Sequence, residues 1–309
     1  MRTKATAFGL DIDTTEPISF LIGASAAPTG RALSLSVHTG DSARAHWASP
    51  STLICDEVRP DGAVNFQIES HPDAGYLIAG PEYGAHLLSS DGRRLCCFPE
   101  GQPGSAWQRL LIAQVLPFAA LLHGLEIFHA SAVVRDGEAI AFLGPSRSGK
   151  TSLAQALCRR GASFLADDVL ALEVREGRLL GNPGSPIAGV ARSEEEHDSP
   201  PPEHVVAENH RERMVRIHGA TDPAPLSTLF FVDRRSEGPA SPHFAPTADP
   251  QLLLAATFNF VLATPKRLQR LLEVCALAAK LRVELITSGS DTSVPELVDA
   301  IERRLSSPA

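Results

Sequence analysis

The chain contains an octapeptide, Gly144 to Thr151, whose residue types suit the binding of phosphate groups. It reads Gly-Pro-Ser-Arg-Ser-Gly-Lys-Thr and satisfies the pattern G-x-x-x-x-G-K-[ST]. The glycines let successive backbone N–H groups face inward, and a following helix presents its positive end to an anion. Lys150 adds a mobile cation for the terminal phosphates, and the Thr151 hydroxyl suits Mg²⁺. We therefore predict a site for a nucleoside triphosphate and Mg²⁺, formed by Gly144, Pro145, Ser146, Arg147, Ser148, Gly149, Lys150, Thr151 and Ser152.

The flanking sequence has the strand–loop–helix order that this motif requires. An apolar run, Ala139 to Leu143, predicts a strand that enters the loop, and Thr151 to Arg160 predicts a helix that ends at Gly161. The alternative is a glycine loop that merely turns a strand into a helix, but it leaves Lys150 and Thr151 unexplained. Within the loop, Arg147 either reaches a phosphate or points to solvent, and we favour solvent.

Two neighbouring carboxylates, Asp167 and Asp168, follow the apolar residues Phe164 to Ala166. We predict one strand over Ser163–Leu172, which puts both near its carboxyl end, where open α/β sheets bind ligands. Consecutive strand positions point to opposite faces. One carboxylate can then approach Mg²⁺ while the other faces an incoming hydroxyl, which together suffice for phosphoryl transfer. The alternative is that one caps a turn and the other is solvated.

His129 begins the first strand of a predicted hairpin that leads to the phosphate loop. The two strands, Phe128–Val134 and Glu138–Leu143, are joined by a turn with an Asp-Gly pair. A lone histidine is usually an ordinary, partly buried residue. Its position here leaves a catalytic or phosphate-contacting role equally open.

The whole chain divides into two predicted domains, a β-rich domain over residues 1–104 and an α/β domain over residues 105–309 that contains the residues above. The first contains short β-favouring runs at Ile18–Ile22, Ala32–Val37, Val64–Ile68 and Arg94–Phe98. In the second we predict helices at Trp107–Leu122, Pro250–Phe260, Pro265–Lys280 and Val294–Leu305, and strands at Leu226–Val232 and Val283–Thr287. The polar segment near 192–210 predicts a mobile loop or lid.

Composition excludes several classes of protein. The 309 residues carry a net charge of −8 without a long run of Lys or Arg, so nucleic acid is not an expected partner. Met1 to Asp11 does not resemble a signal peptide, and the longest apolar stretch, Leu110–Leu122, is too short to cross a membrane. Five cysteines lack metal-ligand spacing, which favours free thiols in a reducing compartment. We expect a cytoplasmic protein.

Three segments together resemble the HPr kinase/phosphorylase family, particularly its kinase-like relatives with a β-rich N-terminal region. They are His129 to Val133, Gly144 to Ser152 and Phe164 to Asp168, and the resemblance is clear over about Phe128 to Gly184. It implies an α/β P-loop kinase core similar to that of phosphoenolpyruvate carboxykinase, with ATP and Mg²⁺. It also implies that Asp167 is the catalytic base, Asp168 the metal-side carboxylate and His129 the histidine near the transferred phosphate. From its place in the loop, we also predict that Lys150 is catalytic.

The resemblance implies transfer of the γ-phosphoryl group of ATP to a serine hydroxyl. Similar kinases accompany lasso-peptide biosynthesis, so a serine of a peptide or protein is the expected acceptor. A small molecule such as free serine or a sugar is an alternative, and so is a catalytically silent nucleotide-binding regulatory protein. Hexamers are known in the resembled family, but no residue pattern here specifies a homo-oligomer.

The chain also departs from the family. Arg147 stands where the family commonly has glycine, and Thr151-Ser152 stands where the bifunctional enzymes carry Ser-Glu. We find no downstream signature for the phosphorylase reaction, so we expect neither dephosphorylation nor HPr itself as the acceptor. Arg211, Arg213 and Arg216 either fold onto the phosphates or are solvated.

Overall fold

The computed structural model describes residues 3–22, 28–99, 104–191, 204–208, 212–235, 237–247, 249–258 and 264–306. The chain forms two compact units, one of Met1–Leu125 with Asn259–Thr264 and one of Glu126–Phe258 with Pro265–Ala309. The division falls at Leu125, whereas the sequence suggested residue 104. The segment near 192–210 lies outside the described residues, except for 204–208.

The first unit is β-rich, as its sequence indicated. Its described residues form an eight-stranded mixed sheet in the order β1-β2-β3-β8-β7-β6-β5-β4, in which β3 lies parallel to β2 and β8 and the other pairs are antiparallel. The strands are β1 (Thr3–Ala7), β2 (Leu10–Thr14), β3 (Ala32–Val37), β4 (Thr52–Val58), β5 (Val64–His71), β6 (Gly75–Gly80), β7 (Gly84–Leu88) and β8 (Arg94–Phe98).

Helices complete the first unit. A short helix α1 (Ala43–His46) is followed much later by α2 (Ala106–Leu110) and α3 (Leu116–Leu122), which a π-helical turn joins. The predicted strand at Ile18–Ile22 is wrong, because Ser19–Leu21 forms a 3₁₀ turn. The Ser19 hydroxyl and the Phe20 N–H both donate to the side-chain oxygen of Gln108, at 3.0 and 3.1 Å. This distant contact determines the local structure.

The second unit contains the phosphate-loop motif. Its described helices are α4 (Lys150–Arg159), α5 (Pro250–Ala255), α6 (Pro265–Ala278) and α7 (Val294–Leu305). Its described strands are β9 (Glu126–Phe128), β10 (Ala130–Arg135), β11 (Glu138–Leu143), β12 (Ser163–Ala166), β13 (Leu170–Arg175), β14 (Arg178–Asn182), β15 (Ile187–Ala191), β16 (Val205–Glu208), β17 (Glu212–Arg216), β18 (Ala224–Arg235), β19 (His243–Pro246) and β20 (Arg282–Gly289).

Strand β11 runs through the centre of this unit. It pairs antiparallel with β10 and parallel with β18, which is also parallel to β20. Ile140 and Phe142 on one face pack with α4 and α7, whereas Ala141 and Leu143 on the other face pack with α6. A strand covered on both faces needs an apolar side chain at nearly every position. The continuous apolar run that leads into the phosphate loop is therefore explained by burial.

Local signals in the sequence are confirmed at several turns. Asp136 and Gly137 both have positive φ, 53° and 82°, as a two-residue hairpin turn between β10 and β11 requires. Gly161 ends α4 with a φ of 98°. Ser293 and Glu296 form a capping box at the start of α7, which spans the predicted residues. Helix α5 is shorter than predicted and ends at Ala255.

The predicted strand over Ser163–Leu172 is wrong, because the chain forms two strands there. β12 pairs with β10, and β13 pairs with β9 and β14. Asp167 and Asp168 lie in the turn between these two strands. Among the described helices, none combines the length and the apolar character needed to cross a membrane.

Candidate functional site

The phosphate-loop motif forms a tight turn between the end of β11 and the start of α4. Gly144 has a φ of 140°, and a Cβ added there would lie 2.5 Å from the carbonyl oxygen of Val232 on β18. Gly149 caps α4 with a φ of 92°. Both positions thus need glycine, the first for close packing and both for backbone conformation. The first N–H groups of α4 lack acceptors within the helix and form the positive end predicted for phosphate.

Lys150 is buried, with 5% of its surface exposed. Its ammonium group donates to the carbonyl oxygens of Gly144 and Pro145, at 2.9 and 3.0 Å. Burial lowers its pKa, while the charges of Asp168 and Asp167 act in the opposite direction. The cation therefore already lies within the loop, held by backbone oxygens that a phosphate oxygen could replace.

Asp167 accepts hydrogen bonds on both carboxylate oxygens. The hydroxyls of Ser131 and Thr151 donate to Oδ1, at 2.6 and 2.7 Å, and the N–H of Gly189 on β15 donates to Oδ2 at 3.2 Å. The strand register explains the first contact, because Ala132 of β10 pairs with Ala166 of β12 and the next residues are Ser131 and Asp167. The carboxylate of Asp167 is thus held beside Thr151, in the first turn of α4.

Asp168 has a different backbone environment. It is the central residue of a γ-turn in which the N–H of Val169 donates to the carbonyl oxygen of Asp167 at 2.7 Å. Its φ is 60°, a left-handed conformation that is strained for a residue other than glycine. The residue is exposed, whereas Asp167 is partly buried. The two carboxylates therefore differ in environment because of a turn, and not because of strand alternation.

His129 lies between β9 and β10, where its backbone N–H donates to the carbonyl oxygen of Ala256 at 2.7 Å. Burial lowers the pKa of its imidazole, and the charge of Lys150 lowers it further. The carboxylate of Asp168 and a hydrogen bond to the backbone of the same residue act in the opposite direction. The imidazole is therefore in the same electrostatic environment as Lys150 and Asp168.

The pKa of Asp167 is about 6, well above the usual value of 3.8. Burial is the main cause, followed by the negative charge of Asp168. The hydrogen bonds from Ser131, Thr151 and Gly189 lower the pKa and oppose both effects. A carboxylate with these donors is kept available in its charged form near neutral pH, which is typical of functional sites.

The structure brings together His129, Lys150, Thr151, Asp167 and Asp168, all of which the sequence singled out. Within the loop, Pro145, Ser146 and Arg147 are exposed, while Ser148 is buried. Arg147 adopts a φ of 65°. Ser152 lies in the first turn of α4 and is partly buried.

Three further residues at the site had not been singled out individually. Ser131 and Gly189 bind Asp167, and Arg234 lies beside the loop. A Cβ added to Gly149 would be 3.5 Å from Nη1 of Arg234, whose Nη2 donates to the carbonyl oxygens of Ser290 and Thr292. The position of Arg234 just after a predicted strand was an available signal, but nothing in the sequence indicated the register that aligns Ser131 or Gly189.

The arginines after the predicted lid have structural partners where they are described. Arg213 lies on β17, at the centre of a three-stranded sheet in the order β15-β17-β16, and its Nε donates to Glu208 at 3.2 Å. Arg216 pairs in register with Ile187 of β15. Arg211 lies outside the described residues. Gly189 on β15 connects this sheet to the site, because its N–H donates to Asp167.

The donor set fits a triphosphate with a divalent cation. The hydroxyl oxygen of Ser148 is buried and has no hydrogen-bond partner among the described residues, and it lies inside the turn of the loop. Thr151 and Asp167 offer oxygens, which are the ligands that Mg²⁺ prefers. The loop therefore has an unpaired polar atom and a cation in the places where phosphate oxygens are expected.

Comparisons with known proteins give a distant structural likeness. No family model matches the chain, and no curated protein matches it. Among solved structures, the Hpr(Ser) kinase/phosphatase from Coxiella burnetii is similar, with a TM-score of 0.31 and 14% sequence identity. The match covers 58% of this chain and 97% of that chain.

Proposed function

We propose that the chain is an ATP-dependent kinase that transfers the γ-phosphoryl group to a hydroxyl. The observation that carries the proposal is the direct contact between Thr151 of the loop and Asp167, with Lys150 held inside the same loop. Phosphoryl transfer depends mainly on positioning and charge neutralisation, and these residues supply a cation, a hydroxyl and a carboxylate. A loop that served only as a turn would not need a buried lysine.

In the proposed reaction, the acceptor oxygen forms a bond to the γ-phosphorus while the bond to the β–γ bridging oxygen breaks. The hydroxyl proton passes to a carboxylate of the site, and ADP leaves with the electron pair of the broken bond. Lys150 neutralises charge on the terminal phosphates, and His129 donates a hydrogen bond or excludes water near them. When bound, Mg²⁺ supplies further neutralisation of the phosphate oxygens.

The contacts support an exchange of the roles that the family resemblance implies for the two carboxylates. Thr151, the residue expected to hold Mg²⁺, bonds to Asp167 and not to Asp168. Both oxygens of Asp167 are held by donors, which suits a residue that keeps a fixed orientation toward a cation. We therefore propose Asp167 as the metal-side carboxylate and the exposed Asp168 as the proton acceptor.

The proposed acceptor is a serine of a peptide or protein, as the sequence resemblance implies. The decisive experiment incubates purified protein with γ-labelled ATP and Mg²⁺, with and without cell extract or candidate peptides. Label is followed into protein, peptide and small-molecule fractions, with Lys150→Ala as the control. Label in serine that disappears in the control supports the proposal. Label in a small molecule changes the acceptor class, and ATP binding without transfer would overturn the kinase proposal.

A second experiment separates the two carboxylate roles. Mn²⁺ binding is titrated by electron paramagnetic resonance in the presence of a non-hydrolysable ATP analogue. We expect Asp167→Asn to weaken Mn²⁺ binding and Asp168→Asn to leave it unchanged, while Asp168→Asn lowers turnover by roughly 10² to 10⁴, the range for a lost general base. The reverse result would restore the roles that the resemblance implies.

A further inference from the structure

Ser131 lies under the candidate site and is completely buried. Its hydroxyl donates to Oδ1 of Asp167 at 2.6 Å, the same oxygen that accepts from Thr151 at 2.7 Å. The contact joins residues 36 positions apart in the sequence. It therefore depends on the pairing of β10 with β12 and is not a local turn contact.

Ser131 is a polar residue in an otherwise apolar, buried stretch of β10, so its hydroxyl calls for an explanation. Its neighbours on β10, Ala130, Ala132 and Val133, are all completely buried. A buried hydroxyl costs free energy unless it is hydrogen-bonded, and alanine would fit the same strand without that cost. The partner here is a carboxylate, and hydrogen bonds to a charged acceptor are stronger than neutral ones.

The geometry gives Ser131 a defined part in orienting the carboxylate. Thr151 and Ser131 hold Oδ1 from two sides, and Gly189 holds Oδ2. A hydroxyl has one donor and two acceptor sites, so Thr151 can offer an oxygen lone pair to a cation while its O–H still donates to Asp167. Ser131 and Gly189 are the other two donors that fix the carboxylate plane.

We propose that Ser131 is a positioning residue, which holds Asp167 in the orientation that it needs beside Thr151. The inference rests on the proposed function, namely that the loop binds a triphosphate together with a divalent cation. Groups that orient metal-side carboxylates typically change metal affinity or activity by about 10- to 100-fold when they are removed. Ser131 acts through Asp167 and does not itself contact the phosphates.

The test compares Ser131→Ala with Ser131→Thr, which retains the hydroxyl, and with Ser227→Ala. Ser227 is a matched control, because its partly buried hydroxyl donates to Ala139 at the start of β11, far along the strand from the loop. Three quantities are measured for each variant: Mn²⁺ affinity with a non-hydrolysable ATP analogue, analogue affinity without metal, and thermal unfolding. Mn²⁺ affinity is read directly, without turnover.

For Ser131→Ala we expect Mn²⁺ affinity to fall by about tenfold or more, with metal-free analogue affinity unchanged. Ser131→Thr should recover part of the lost affinity, and Ser227→Ala should match the wild type. If a folded Ser131→Ala variant keeps the Mn²⁺ affinity of the wild type, the proposed role of Ser131 is wrong, but the proposed function is not affected. Absence of analogue and Mn²⁺ binding in the wild type overturns the proposed function as well, so the two failures are distinguishable.

Discussion

His86 in the first unit and Asp167 in the second are both titratable groups with strongly shifted pKa values, yet their surroundings differ. His86 on β7 is completely buried, its ring centroid lies 6.3 Å from that of Trp107, and burial lowers its pKa to about 3. Asp167 has a pKa of about 6, raised by burial, but three donors oppose the shift. The histidine is buried in its neutral form, whereas the aspartate is surrounded by groups that favour its charge.

The difference indicates how a packing residue can be distinguished from a site residue. The lowered pKa of His86 comes from burial, which a single hydrogen bond to the backbone of Trp107 opposes, so its environment favours the neutral ring. Asp167 lies among Ser131, Thr151 and Asp168, so two hydroxyl donors and a neighbouring negative charge act on its carboxylate. Burial alone perturbs a pKa, but converging donors and charges at a strand end indicate chemistry.

The largest expected effect comes from Lys150→Ala. The variant removes the buried cation from the loop, so triphosphate affinity should fall sharply and phosphoryl transfer should fall by about 10² to 10³ or more, as for other lost electrostatic groups. Calorimetric titration with an ATP analogue and the labelled-ATP assay measure the two effects. Unchanged affinity in a folded variant would contradict the assignment of the phosphate loop.

His86→Leu tests whether His86 is only a packing residue of the first unit. In the wild type, the unfolded chain takes up a proton on this histidine at a pKa near 6.5, whereas the folded ring resists protonation down to about 3. The contribution of His86 to the free energy of unfolding is therefore fully present above pH 6.5 and is lost as the pH falls toward 3. Its slope is at most about 1.4 kcal/mol per pH unit. Denaturant unfolding from pH 7.5 to 4 should show a shallower loss in the variant. ATP affinity should not change, and a lost affinity would place His86 among the functional residues.

The sign is opposite for Asp167. Its folded pKa of about 6 lies above the usual value of 3.8, so the folded state binds more protons between these values. The contribution of this group to stability is greatest below about pH 4 and is lost as the pH rises through 6. Unfolding of the wild type, measured against Asp167→Asn from pH 4.5 to 7.5, should show this relative loss of stability. Parallel curves for the two proteins would mean that the carboxylate is not perturbed.

The smallest effect is expected at Arg147, which is exposed and has a φ of 65°. Left-handed backbone costs about 1 kcal/mol for a residue with a Cβ, so Arg147→Gly should leave the protein as stable or slightly more stable. Arg147→Ala keeps a Cβ in the left-handed backbone conformation and removes the guanidinium group. If both variants lose ATP affinity in titrations, the guanidinium contacts phosphate, and our preference for a solvent-exposed side chain is wrong.

Much of the second unit could be predicted because its signals are local. The hairpin turn at Asp136-Gly137, the end of α4 at Gly161 and the capping box of α7 depend on residues within a few positions of each other. The loop itself is also encoded locally, since each of its fixed positions has a backbone or charge requirement. The strand–loop–helix arrangement of the candidate phosphate site was therefore predictable from the amino-acid order alone.

Where prediction failed, distant contacts were responsible. Phe164 to Leu172 has the apolar character of one strand, yet the chain turns at Asp168, because β12 and β13 pair with different neighbours. The 3₁₀ turn at Ser19–Leu21 depends on Gln108, and the position of Ser131 under Asp167 depends on strand register.

By itself, the sequence determined the glycine-rich loop, its strand and helix, and the set of charged residues available for chemistry. Only the tertiary structure decided which carboxylate meets Thr151, because that depends on a γ-turn and on the pairing of β10 with β12. A local motif constrains its own backbone, whereas the orientation of Asp167 requires donors from two strands and one helix, namely β10, β15 and α4. The meeting of these donors at one carboxylate results from tertiary packing, and it cannot be predicted from residue spacing within a single segment.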